Sequence, residues 1–130
     1  MKIIEKPQIQ EFCNGEVQDF LLELVEKELK NLPESEHTRR RELCQAVLNC
    51  NCKVGYRDSI RAAVSQIMRD WGAKAAQLSE LAKMGFRVTK GKNHYKMRWC
   101  DSSYYKTISA SPSDHRTGNN SVTELVRTFF

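Results

Sequence analysis

The sequence predicts an α+β protein in which a helical N-terminal region, residues 1–71, precedes an αβββα domain, residues 72–130, with a three-stranded antiparallel sheet. Three observations lead to this fold class. Apolar residues recur at helical spacing as far as Trp71, apolar and polar residues alternate with period two in FRVTK and HYKMRWC, and turn-forming residues separate these runs. At 130 residues and 40% hydrophobic, the chain is long enough to build a core.

The N-terminal region contains three predicted helices. The first spans residues 16–31 and ends before Pro33, because the residue preceding a proline is pushed out of the helical region. The second is capped by Ser35 or Thr38, and the third runs over about residues 58–71. The apolar stripe of the second helix is predicted to consist of Leu43, Ala46 and Val47. The three helices are expected to form a small bundle.

The C-terminal domain is predicted to contain a helix, three strands and a last helix. The helix AKAAQLSELAKM stops at Gly85, which suits the left-handed position after a helix. The strands FRVTK, NHYKMRWC and YYKTISA are joined by turns at GK and DSS. After the turn-rich loop SPSDHRTGNN, Ser121 and Glu124 have the spacing of a capping box that starts the last helix.

Charge is distributed unevenly along the chain. Residues 1–71 carry 11 Lys and Arg against 12 Asp and Glu, whereas residues 72–130 carry 10 against 4, a balance of +6. This asymmetry indicates that the C-terminal domain meets a polyanion such as RNA. The competing interpretation is a generally basic surface without a specific partner.

Alternation predicts which side chains of the sheet face away from the helices. If the aromatic and aliphatic residues pack inward, the outward set consists of Arg87, Thr89, His94, Lys96 and Arg98. Cations on such a face suit phosphate and 2′-hydroxyl contacts, and Lys92 in the adjoining turn extends the basic surface. The alternative is a solvated strand face whose charges keep a sheet edge soluble.

His94 is also a candidate for acid–base chemistry. RNA cleavage needs a group that takes the 2′-hydroxyl proton, and an imidazole with an ordinary pKa near neutrality can do so. Lys96 or Arg98 would stabilise the charged phosphorus centre, with His115 as a second group oriented by Asp114. The alternative is that His94 is an exposed contact residue.

The loop before the last helix offers an anion site. The amides at a helix N-terminus favour anions, and Arg116 beside them would strengthen binding of a phosphate. The alternative is a capped loop–helix junction in which Pro112, Ser113 and Asp114 serve only the turn.

The cysteines do not predict a metal site. Cys44, Cys50 and Cys52, with His37 upstream, lack the paired spacing of zinc ligands, so buried free thiols are the preferred interpretation and no cofactor is expected. Five cysteines without a framework spacing, no apolar run of about 20 residues and no signal-peptide pattern predict a cytoplasmic protein without a membrane partner.

Residues 75–130 resemble the HicA family of toxin–antitoxin modules, whose small domain has a double-stranded-RNA-binding-type αβββα fold. LAKMGF matches the family's glycine–hydrophobic pair before the first strand. GKNH occupies the place of a Gly-Ser-His that opens the second strand, with Asn93 where serine is usual and one extra residue before the histidine. Pro112, His115 and Gly118 occupy the Pro- and His-containing stretch before the last helix.

The resemblance implies that His94 matches the histidine that acts in mRNA cleavage by HicA toxins. The resulting prediction is an RNA-binding or other nucleic-acid-binding HicA-like protein, with endoribonuclease toxin activity as its extension. The N-terminal 71 residues have no counterpart in a minimal HicA toxin. The alternative is therefore a non-catalytic phage or bacterial regulator that binds an antitoxin-like or defence-related protein. It would use the same face or the acidic first helix, since residues 5–28 carry seven acids against two lysines.

Overall fold

A computed structural model describes residues 4–92, 94–109 and 115–130, with the backbone alone at residues 109 and 115–121. The described part has five helices and one three-stranded antiparallel sheet, which confirms the predicted α+β class. The elements are α1 (Glu16–Asn31), α2 (Arg39–Cys50), α3 (Tyr56–Arg69), α4 (Ala75–Lys83), β1 (Phe86–Lys90), β2 (His94–Trp99), β3 (Lys106–Ser109) and α5 (His115–Phe129). The chain divides into two compact units, residues 1–57 and 58–130, so the division falls inside α3, whereas the sequence predicts a boundary after residue 71.

The first two helices begin and end where local signals place them. Leu32, the residue before Pro33, is extended and ends α1. Thr38 precedes α2, and its hydroxyl accepts a hydrogen bond from the Arg41 amide at 3.2 Å, so Thr38 rather than Ser35 is the cap. No helix in the described part of the chain is long and apolar enough to cross a membrane.

The predicted apolar stripe of α2 is wrong. Leu43, Ala46 and Val47 are exposed, whereas Arg41, Cys44 and Leu48 are half-buried. The Arg41 guanidinium explains the rotation, because it donates to the carbonyls of Leu32 at 3.2 Å and Pro33 at 2.6 Å at the end of α1. These bonds turn the Arg41 side of α2 towards α1 and leave the apolar stripe in solvent.

The first unit is organised around buried polar groups on α1. Asp19 is fully buried, and its carboxylate accepts hydrogen bonds from the amides of Val54 and Gly55, each at 2.8 Å. Two residues further on, the buried Arg57 guanidinium pairs with Glu23 one turn along α1. These contacts fix the segment after α2 against the first helix.

The sheet of the second unit has the order β1-β2-β3, with both pairs antiparallel. The amide of Gly91 donates to the His94 carbonyl at 2.7 Å and closes the β1–β2 hairpin. Cross-strand partners include Phe86 with Trp99, and Tyr95 with Ile108. This register places the apolar residues of all three strands on one face.

The core of the second unit is centred on Trp99, which has no solvent exposure. Its indole stacks on Phe86 with ring centroids 5.2 Å apart, and its Nε1 donates to the Met84 carbonyl at 3.1 Å. Phe129 and Phe130 at the end of α5 close over these rings, at 5.5 Å from Phe86 and 4.9 Å from Trp99. The sheet therefore buries one face against α4 and α5.

Gly85 has the backbone conformation that the sequence predicts for it. Its φ of 90° lies in the left-handed region, and a Cβ there would approach the Cys100 sulfur to 3.2 Å. The Gly85 carbonyl also accepts from the Cys100 amide at 2.8 Å, so the end of α4 is joined directly to the end of β2.

The predicted start of the last helix is wrong. The helix α5 begins at His115, six residues before Ser121, so Ser121 lies inside the helix and does not cap it. Gly118 and the following asparagines lower helix propensity by only about 1 kcal/mol each, and no proline follows Pro112 to stop the helix. The buried Leu125 and Phe129 anchor its C-terminal half. The loop residues 110–114 lie outside the described residues.

We expect Trp99→Ala to lower the free energy of unfolding by about 3–5 kcal/mol, because it removes a fully buried ring and leaves the Met84 carbonyl without its donor. Urea denaturation followed by far-UV circular dichroism measures the change. Tyr104→Ala is the matched control, since the Tyr104 ring is about half exposed and its loss should lower the free energy by about 1 kcal/mol or less. Equal losses in the two variants would contradict the central role of Trp99.

Candidate nucleic-acid interface

The outer face of the sheet, opposite α4 and α5, is polar and basic. The burial pattern of β2 alternates as predicted, with Met97 and Trp99 buried and His94 and Lys96 exposed. The outer face consists of Arg87, Thr89, His94, Lys96, Arg98 and Thr107. Arg98 is half-buried and the others are exposed. Four of the residues predicted from alternation as nucleic-acid contacts or a catalytic group, Arg87, His94, Lys96 and Arg98, thus share one surface.

Tyr105, which the sequence analysis did not select, belongs to this surface. It lies just before β3, one residue beyond the Met97–Lys106 pair, and therefore opposite Arg98. The Lys96 ammonium lies 4.9 Å and the Arg98 guanidinium carbon 4.8 Å from the centroid of its ring. Both distances are within the range of cation–π attraction. Alternation about the apolar Ile108 would place Tyr105 outward in the predicted strand YYKTISA, but its position beside Lys96 and Arg98 depends on the β2–β3 register.

The guanidinium of Arg98 is held from two sides. Its Nη1 donates to the carbonyls of Ser102 at 3.3 Å and Ser103 at 3.2 Å, while the group lies over Tyr105. Among the described residues, no other hydrogen bond engages this side chain, so Nε and Nη2 keep donors for a ligand. Arg98 is thus a fixed, partly shielded cation.

Arg87 lies directly opposite Arg98 in the β1–β2 pair. Like charges in such positions are destabilising, and Asp101 offsets part of this repulsion through an ion pair with Arg87 at 3.3 Å. Both partners are largely exposed, so the pair is weak. Asp101 was predicted only as a turn residue.

His94 begins β2 and is exposed, with Ser109 as its backbone partner on β3. Within the described part of the chain, no hydrogen bond or ion pair holds its imidazole. A general acid or base is normally oriented by a second group. The side chains of its candidate partners, His115 and Asp114, lie outside the described residues, so the role of His94 stays a prediction.

The remaining predicted site residues are located less completely. Lys92 is exposed in the β1–β2 turn, at the end of the sheet where His94 begins β2. His115 and Arg116 form the first turn of α5, but their side chains lie outside the description, as does Asp114. Whether these side chains lie near His94 therefore stays a prediction.

The acidic residues of α1 are engaged within the first unit. Asp19 binds two amides, Glu23 pairs with Arg57 and Lys27, and Glu26 pairs with Lys53 at 3.1 Å. These carboxylates bind the unit's own amides and cations, and a partner for the acidic face of α1 stays a prediction.

The first unit does contain an apolar groove of about 840 Å³. Aliphatic side chains from the N-terminal segment, α1, α2 and the segment after α2 line it, namely Ile4, Leu21, Leu24, Val25, Val47 and Val54. Ile4, Leu24, Val47 and Val54 remain exposed. The groove includes Val47 of the α2 stripe that was predicted to be buried.

The cysteines are free, but the prediction that they are buried is wrong for the cluster. Cys50 and Cys52 are exposed and Cys44 is half-buried. Within the described residues, no group of three His, Cys, Asp or Glu side chains is placed to hold a metal ion. Burial, reinforced by the nearby carboxylates of Glu16 and Asp19, raises the pKa of the Cys13 thiol to about 11.

Comparisons with models of known protein families, with curated proteins and with solved structures give no significant match. The resemblance to HicA toxins is therefore an expectation from short motifs, and a function for the outer face is argued from its own geometry.

We expect Cys13 to react with iodoacetamide far more slowly than Cys50 and Cys52 at about pH 8. A thiol with a pKa of about 11 instead of 9.0 has roughly a hundredfold smaller thiolate fraction at that pH, and the thiolate is the nucleophile. Peptide mass spectrometry of timed samples measures the order. Raising the pH towards 10 should accelerate alkylation of Cys13, and a Cys13→Ser variant should leave the alkylation rates of Cys50 and Cys52 unchanged. Equal rates at all three positions at about pH 8 would contradict the raised pKa.

Proposed function

We propose that the protein binds RNA, or another nucleic acid, through the outer face of its sheet. The observation that carries the proposal is that His94, Lys96 and Arg98 project from one strand to one face, with Tyr105 against the two cations. Lys and Arg neutralise phosphates, and the residues of 72–130 carry the chain's positive balance. The resemblance to HicA toxins supports the same class of ligand.

Edge protection does not account for these charges. Charged residues on strands often prevent pairing of a free edge with another chain, but this applies to the outermost strands. The strand β2 is the central strand, hydrogen-bonded to β1 and β3 on its two sides. Lys96 and Arg98 therefore have no edge to protect, and a ligand explains them better.

Binding is the function proposed, and endoribonuclease activity is a separate outcome to be measured. Cleavage requires His94 to exchange a proton with the 2′-hydroxyl while another group supports the phosphorus centre. The described contacts of His94 include no orienting group, so they favour a phosphate or ribose contact over proton transfer.

We expect Lys96→Gln to weaken binding of RNA about three- to tenfold at about 100 mM salt and to reduce the slope of log affinity against log salt by nearly one, because one phosphate contact is lost. Fluorescence anisotropy of labelled single-stranded and hairpin RNA at several salt concentrations measures both. Lys83→Gln is the charge-matched control, since Lys83 is exposed on α4, away from the outer face.

Two outcomes of this experiment decide between the candidate functions. If the two lysine variants weaken binding equally, binding depends on the general positive charge and not on the outer face. Absence of salt-sensitive binding would overturn the proposal. Gel analysis of the same incubations reports cleavage, and cleavage that disappears in His94→Ala would establish His94 as catalytic. Intact RNA with only a modest loss of affinity in His94→Ala is the expected result.

A second candidate function is the binding of another protein by the first unit. The apolar groove favours it, because Leu24, Val47 and Val54 are left exposed beside a cavity large enough for several side chains. An apolar helix face of a partner fits such a groove. The paired carboxylates of α1 argue against a partner recognised by charge alone.

A photoreactive amino acid at position 47 tests this second function. We expect a discrete crosslinked adduct in cells from position 47, and its loss when Leu24→Glu places a charge in the groove. The matched control is position 45, since Gln45 is exposed on α2 and does not line the groove. The same adducts from both positions, or none from either, would exclude the groove as a protein-binding site.

A further inference from the structure

The geometry around Tyr105 points to single-stranded nucleic acid as the ligand of the outer face: we infer that Tyr105 and the Arg98 guanidinium form a platform on which an unpaired base stacks. The inference rests on the proposed function and adds the form of the ligand. It concerns a residue outside both the predicted site and the motifs shared with HicA toxins.

The first step is the composition of the platform. The Tyr105 ring and the Arg98 guanidinium are flat groups within 4.8 Å of each other. Aromatic rings and guanidinium planes are the two kinds of side chain on which bases stack. Tyr105 remains 44% exposed although two cations lie against it, so part of its surface is open to a ligand.

The second step is the rigidity of the platform. Two backbone carbonyls hold the Arg98 guanidinium, and its strand is fixed by the buried neighbours Met97 and Trp99. A held group loses less conformational entropy on binding than a free arginine. The platform is therefore ordered before the ligand arrives.

The third step is the line of phosphate contacts. His94, Lys96 and Arg98 are alternate residues of β2, so their side chains leave the strand at intervals of about 7 Å on one face. This spacing is comparable with that of successive phosphates in an extended single strand. A backbone that follows β2 would place one of its bases at the Tyr105 end of the row.

A duplex does not satisfy this arrangement. Its bases are stacked on one another inside the helix, so their flat sides cannot reach Tyr105, and only its phosphates remain for the cations. The outer face should consequently prefer single strands, and the preference should depend on the ring more than on any single cation.

The test compares three ligands of equal length, about 12 nucleotides: single-stranded oligouridine or oligothymidine, the corresponding duplex, and an abasic strand that keeps the phosphates without bases. We expect the full chain to bind the single strand at least about fivefold more tightly than the other two. Tyr105→Leu should weaken single-strand binding about tenfold and leave duplex and abasic binding within about twofold. Tyr105→Phe should keep the single-strand preference.

Tyr104→Leu is the matched control, because the neighbouring Tyr104 ring lies 6.1 Å from Phe129 instead of over the two cations. It should leave all three affinities unchanged.

If Tyr105 only positions Lys96 and Arg98, Tyr105→Leu will weaken binding of the three ligands equally. That result overturns the stacking platform while the proposed function stands. Salt-sensitive binding with no preference for the single strand also overturns it. No binding to any of the three ligands overturns the proposed function itself. Comparison of oligouridine with oligodeoxyuridine, which share the same base, reports whether the ribose 2′-hydroxyl contributes.

Discussion

The register of β2 is the constraint on which the outer face depends. Side chains of a strand alternate between two faces, so a slip of one residue would exchange every inward and outward position. Trp99 prevents the slip, because its ring stacks on Phe86 and its indole donates to the Met84 carbonyl, while the Cys100 amide binds Gly85 immediately after it. Since Trp99 and Met97 must be inside, Arg98 and Lys96 must be outside. The basic surface is thus a consequence of how the aromatic core packs.

The two units use their charges differently. In the first unit, Asp19 and Glu23 serve the fold, because they bind the amides and the guanidinium of the segment after α2. In the second unit, Lys96 and Arg98 lie on the outer face with only a tyrosine ring and two carbonyls as partners among the described residues. A carboxylate that satisfies buried donors is a structural group, whereas a cation kept at a surface without a carboxylate is ready for an anion.

Local patterns predicted the parts of the fold that depend on neighbours in sequence. The limits of α1, a cap at Ser35 or Thr38, the left-handed Gly85 and the alternation of β2 all follow from residues within one or two turns of each other. The features that were missed depend on contacts through space. The orientation of α2 is set by Arg41 reaching the end of α1, and the position of Tyr105 beside Lys96 and Arg98 is set by the β2–β3 register. The early start of α5 had a third cause, since weak helix propensity in RTGNN did not prevent a helix that the buried residues of its second half stabilise.

The arrangement of cations on the outer face is unfavourable for the protein alone. Arg87 is directly opposite Arg98 across two strands, and Lys96 and Arg98 lie against the same ring. Cation–π attraction at exposed sites contributes only about 0.5–1 kcal/mol, and the exposed Asp101–Arg87 pair adds little more. Apolar or mixed-charge pairs at these positions would stabilise the sheet better. Residue pairs that stabilise a fold less well than the alternatives occur chiefly where function requires them. In the proposed complex a polyanion would remove this repulsion, so the free energy lost to like charges in the free protein would become part of the affinity for the ligand.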